Sequence, residues 1–167
     1  VAARRNLMEA MLERPYEANL GFTGGAAEAT MYHAILAKSG LHKRVGDRGF
    51  FDSPNDEWMP VWNAIQAFVT DTADGPKPVT DLYERLAHPP FGIRSGIVPV
   101  LLLAYLLKHR HEVALYEENV YVPGVRIEVM ERLTRQPHLF SLRSFRVNPE
   151  HAVLLEQVSR IPLFSRG

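Results

Sequence analysis

The chain contains no cysteine. Disulfides, thiolate metal sites and cysteine nucleophiles are excluded together, and the composition fits a reducing compartment. Neither charge is in excess, because 19 Lys plus Arg balance 19 Asp plus Glu. The whole-domain basic field of a protein that lives on phosphate backbones is missing, which leaves room only for a local basic patch. The longest apolar run, Ile97 to Leu107, falls well short of the roughly 20 residues that cross a bilayer, so a buried core helix and no membrane partner are expected there. The opening Val1-Ala-Ala-Arg-Arg-Asn is too polar for a secretory signal. With Val rather than Met at its start, the chain is expected to be a cytoplasmic domain of a longer protein. No Gly-x-x-x-x-Gly-Lys-Ser/Thr loop occurs, and no nucleophile elbow. No catalytic residue, cofactor or metal ligand is predicted from the sequence.

Apolar residues make up 46% of the chain and charged residues 23%, enough for a real core and ordinary for a globular protein. Helical spacing is clear over 4–14, where Leu7, Met8, Met11 and Leu12 share a face, and over 26–39, closed by Gly40. Val45 to Phe51 predicts a short hairpin turning at Gly46-Asp47, with Phe50 and Phe51 tucked into the core. Trp58, Val61, Trp62, Ile65, Phe68 and Val69 mark a helix opened by Pro54-Asn55-Asp56 and running to Thr70. Asp71 to Pro78, with Gly75, Pro76 and Pro78, reads as a linker. The predicted organisation is a helical N-terminal half, 1–73, with a hairpin at 44–52, and a second half, 79–167, together forming one compact unit.

The second half has a telling order. A helix from Thr80 to Ala87 stops at Pro89-Pro90-Phe91-Gly92, and Ser95 can cap the next, Gly96 to His109. Glu112 to Pro123 then predicts two strands turning at Glu118-Asn119. Arg126 to Arg135 is a helix, Leu139 to Val147 a strand, and Asn148-Pro149 begins a last helix. Helix, turn, helix, hairpin is the order of a winged helix-turn-helix. The expected fold is therefore α+β and mainly helical, with a winged-helix-like half packed on a helical one.

The stretch from Leu86 to Ala104, with its Pro-Pro-Phe-Gly core, followed by Val113-Ala-Leu-Tyr-Glu-Glu-Asn-Val-Tyr-Val-Pro, resembles an internal segment of long bacterial P-loop ATPases found near restriction and phage-defence genes. Ala29-Thr-Met-Tyr-His-Ala-Ile-Leu, Ser39-Gly-Leu-His and Gly49-Phe-Phe-Asp-Ser-Pro are similar to it as well, so the resemblance spans about residues 28–140. It implies that ATP is hydrolysed in another part of such a protein and that this region is an accessory part. With no phosphate-binding loop here, no catalytic residue carries over.

The candidate sites are contact surfaces. Arg126, Arg132, Arg135, Arg143 and Arg146, with His138, form a basic cluster in sequence that could touch nucleic acid or an acidic partner. The bland alternative is a solvated helix face with charges along a strand edge. Tyr116 and Tyr121 on the predicted hairpin are candidate anchors for a protein partner or another domain of the parent protein. Nucleic-acid docking through helix and wing is not favoured. The 97–107 helix is apolar nearly all round, and 112–122 holds three Glu and no Lys or Arg. Gly21-Phe-Thr-Gly-Gly lacks a following Lys and reads as a connector rather than a phosphate cradle. His109 and His111 lie two apart on a helix and point apart, so they read as C-terminal helix cations rather than metal ligands.

Overall fold

The computed structural model describes residues 2–145; Arg146 and the helix expected after Asn148-Pro149 lie outside that range. The described chain is α+β and mainly helical, with six α-helices and two small antiparallel sheets. Apolar spacing explains the helices. In α1, Ala2–Glu13, Leu7, Met8, Ala10 and Met11 are buried, and Pro15 lies just past its end. α3, Met59–Asp71, buries Trp62, Ile65, Phe68 and Val69. It starts later than its sequence signals, behind a turn in which Asn55 Oδ1 accepts from the Trp58 amide at 3.3 Å. α5, Val98–Lys108, buries every residue from Val98 to Leu106, as a helix apolar all round must. α4, Val79–Ala87, and α6, Ile127–Arg135, are amphipathic and bury Leu82 and Leu86, and Val129, Met130 and Leu133. These faces join in one continuous core that runs from Leu7 to Leu142.

The helix expected over 26–39 is α2, Ala27–Tyr32, which widens into a π-helical turn, His33–Ala37. Gly40, at φ 80°, turns the chain left-handed after it. Before it, Asn19 and Leu20 hold φ values of 55° and 53°, a region that L-residues other than Asn and Asp seldom enter. Leu20 is kept there by full burial of its side chain and by Arg14 Nε, which donates to its carbonyl at 2.8 Å.

Both predicted hairpins form. β1, His42–Val45, and β2, Arg48–Phe51, turn at Gly46-Asp47 with positive φ at Gly46 alone, the pattern of a type II′ turn. Adjacent strand residues point to opposite faces, so only Phe51 packs on the core. Phe50, expected inside, is 37% exposed. β4, Val113–Glu117, and β5, Val120–Tyr121, turn at Glu118-Asn119 with both residues at positive φ, a type I′ turn.

The second sheet has the order β3-β6-β4-β5, where β3 is Lys77–Pro78 and β6 is Phe140–Ser144. α6 is inserted between the hairpin and β6, so the strand beside β4 arrives late in the chain. The segment read as a linker, 71–78, carries structure of its own. Thr72 is fully buried, donates from Oγ1 to the Val69 carbonyl at 2.5 Å, and accepts from the Ser144 amide at 2.7 Å. Thr80 and Ser95 do not cap; α4 begins behind Pro78 and α5 behind Ile97, neither with a side-chain cap.

Candidate functional site

The β4–β5 hairpin and α6 meet beside the edge of β5 that no other described strand pairs with. The I′ turn makes Glu117 and Val120 the closing hydrogen-bonded pair, and the Val122 amide donates to the Leu115 carbonyl at 2.9 Å. Between them Tyr121 sits in a non-hydrogen-bonded pair with Tyr116, which turns its own N–H and C=O away from β4. β5 is the last strand of the sheet, so these groups face outward. Pro123, without a donor, ends the edge.

α6 closes the other side. Arg132, on its second turn, forks onto Glu117 with Nε to Oε2 at 2.8 Å and Nη2 to Oε1 at 2.9 Å. The donated hydrogen bonds hold the Glu117 carboxyl below the usual carboxylate range and raise Arg132. Between the edge and the helix lies an open groove of about 650 Å³, lined by residues that include Val122, Val125, Arg126 and Val129. Val120 and Tyr121, at its rim, are 68% and 55% exposed. Arg126 is the N-cap of α6, is exposed and makes no ion pair with a described residue. α6 has no side-chain cap, so its first-turn N–H groups have no side-chain acceptor among the described residues.

The basic residues close in sequence are not gathered into one patch. Arg132 is held by Glu117, and Arg135 pairs with Glu131 at 3.6 Å. Glu131 also binds Arg5, which reaches Glu9 at 2.9 Å, so this pair belongs to a chain of charges joining α1 and α6. Residues directly opposed in a sheet share a face. The pairs Ala114↔Arg143, Tyr116↔Ser141 and Tyr116↔Tyr121 therefore put Arg143 with the two tyrosines. Glu117 and its partner Phe140 lie on the other face, where Arg132 meets the sheet. Arg143 is exposed, as is His138 in the turn Pro137–Leu139. Tyr116 and Tyr121 do come together, with ring centroids 5.9 Å apart at 61°. The sequence reading missed the valines of the groove. Their signal, Val120, Val122, Val125 and Val129 running from an edge strand into a helix, was visible but has no fixed period.

A second polar cluster is closed to solvent. His42, 2% exposed, lies between the Tyr32 hydroxyl and the Pro15 carbonyl, each 2.8 Å from a ring nitrogen. A carbonyl only accepts, so Nε2 carries the proton and Nδ1 accepts from Tyr32. Burial lowers the His42 pKa and pushes Tyr32 up to about 12. The ring also meets Phe51 edge-on at 4.8 Å. With both nitrogens satisfied, this histidine clamps the 15–17 segment to the first hairpin. At the end of α5, His109 stacks on Tyr105 at 4.3 Å and holds Glu112 at 3.0 Å. Among the described residues no group of three His, Asp or Glu is placed to hold a metal ion, and no helix is long and apolar enough to cross a membrane.

No protein-family model, curated protein or solved structure matches this chain.

Proposed function

We propose that this chain is a non-catalytic accessory module of a longer, cytoplasmic, ATP-binding bacterial protein, and that it docks protein segments through the groove between β5 and α6. The observation that carries this is the groove itself. It joins a strand edge unpaired among the described residues, exposed Val120 and Tyr121 and a lining of further valines. Large apolar side chains left together at a strand edge mark an interaction site or an aggregation liability, and Pro123 blunts the second. The order α4, α5, β4, β5 supports a winged-helix-like build for this half. Winged helices serve as protein-docking parts as well as nucleic-acid readers, so build alone does not choose.

Nucleic-acid binding is the second reading, favoured by exposed Arg126 and Arg143, neither of which has an ion-pair partner among the described residues. Three features weigh against it: Arg132 and Arg135 are engaged by carboxylates, the sheet separates Arg132 from Arg143, and the hairpin is acidic. The deciding measurement is anisotropy of fluorescent single- and double-stranded DNA and RNA over a salt series with the purified chain. The docking reading expects no binding at low salt. Micromolar binding that weakens steeply with salt, and is lost in Arg126→Ala/Arg143→Ala, would overturn it.

A further inference from the structure

The geometry points to an extended peptide bearing an aspartate or glutamate as the occupant of the β5–α6 groove, added as a strand along Tyr121. This rests on the docking reading above and specifies its ligand. The first support is the backbone. Tyr121 offers an N–H and a C=O that β4 leaves unused, the pair that an added strand takes up. The second is spacing. In a strand laid beside Tyr121, alternate side chains point down toward Val122, Val125 and Val129, and the others point out to water. A single apolar anchor with polar neighbours fits such a site.

The third support is charge. The lining carries Glu117, Arg126 and Arg132. Glu117 and Arg132 neutralise each other by their fork, which leaves Arg126 as the uncompensated charge. It stands at the N-terminus of α6, where the helix dipole adds positive potential. Glu118 and Glu128 are exposed and outside the lining. A carboxylate two positions from the anchor meets both the guanidinium and the uncapped amides, whereas a lysine there meets neither.

The test uses a phage-displayed library of random heptapeptides, selected on the immobilised full chain and counter-selected on Val120→Glu, a change at a 68% exposed position that fouls the groove rim. Enriched peptides are resynthesised, and their affinity is measured by anisotropy. The expected result is an apolar residue with Asp or Glu two positions from it, on the same face of the added strand. Affinity should fall about threefold or more in Arg126→Ala and further in Arg126→Glu. It should vanish when the peptide amide facing Tyr121 is N-methylated, a change that leaves the protein untouched. Enriched peptides that need the groove but ignore both Arg126→Ala and N-methylation would overturn the acidic-strand inference while leaving the docking reading intact. No enrichment that Val120→Glu removes would overturn both.

Discussion

Removing one oxygen atom from Tyr32 tests how the first half of the chain is held. The Tyr32 hydroxyl donates to His42 Nδ1 at 2.8 Å, and the two residues are 1% and 2% exposed. In Tyr32→Phe the ring still fills its space against Phe22, 6.0 Å away, but Nδ1 is left as a buried acceptor that water cannot reach. The other nitrogen stays committed to the Pro15 carbonyl, so the ring cannot turn to compensate without orphaning that oxygen. A buried polar group deprived of its partner costs about 1–3 kcal/mol. A loss of about 2 kcal/mol lowers Tm by about 4–8 °C in a chain of this size. Urea unfolding followed by the fluorescence of Trp58 and Trp62 reads it, with the slope m expected unchanged because the surface exposed on unfolding is the same. A double-mutant cycle with His42→Ala isolates the contact and should return a coupling of about 1 kcal/mol. The His42 pKa is lowered in the fold, so the unfolded chain binds its proton more readily. Its contribution is present in full above the ordinary value of 6.5 and is lost as pH falls through that value toward the lower folded one. A Tyr32→Phe loss below about 0.5 kcal/mol, or purely additive losses in the cycle, would refute the clamp.

The remaining predictions concern other joints. In Gly49→Ala the new methyl would collide with the His42 ring and come within 2.5 Å of the Glu17 carbonyl oxygen; thermal unfolding should show a loss of about 1–3 kcal/mol. Thr72→Val keeps the shape but strands the Ser144 amide, so amide exchange should quicken along β6 and stability should drop by about 1–3 kcal/mol. Tyr83→Phe should be neutral or stabilising, because its buried hydroxyl has no hydrogen-bond partner among the described residues; a fall in Tm would contradict this. Asp52 accepts from the Ser53 amide at 2.8 Å and pairs with Lys43 at 3.2 Å and Lys108 at 3.5 Å, which lowers its pKa below 3.8. Its contribution is present above that value and fades as pH falls through the folded one, so Asp52→Asn should be less stable than the parent near pH 7 and should match it at strongly acidic pH.

Helix periodicity and turn chemistry are local, and they were legible. The apolar faces of α1, α3 and α6 follow from spacing, and the Gly46-Asp47 and Glu118-Asn119 turns follow from Gly46 and Asn119, which accept positive φ, while Glu118 takes one without such a preference. Burial of α5 followed from its having no polar face. The sequence also named Tyr116 and Tyr121 as a pair on one hairpin. What it could not decide depends on partners distant in the chain. Thr72 looked like linker because its acceptor role toward Ser144 is created only when β6 arrives from far along the chain. Phe50 looked like core until the strand pleat turned it outward. Whether the arginines form one patch could not be read from the sequence, because sequence proximity says nothing about which face of a sheet each one takes. Strand register divides Arg132 from Arg143, and carboxylates on β4 and α6 claim Arg132 and Arg135. The groove beside β5 exists because the core presses the buried face of α6 toward a strand whose outer edge pairs with no other described strand. Side-chain pattern determined the pieces of this protein, and packing alone decided which surfaces those pieces leave open.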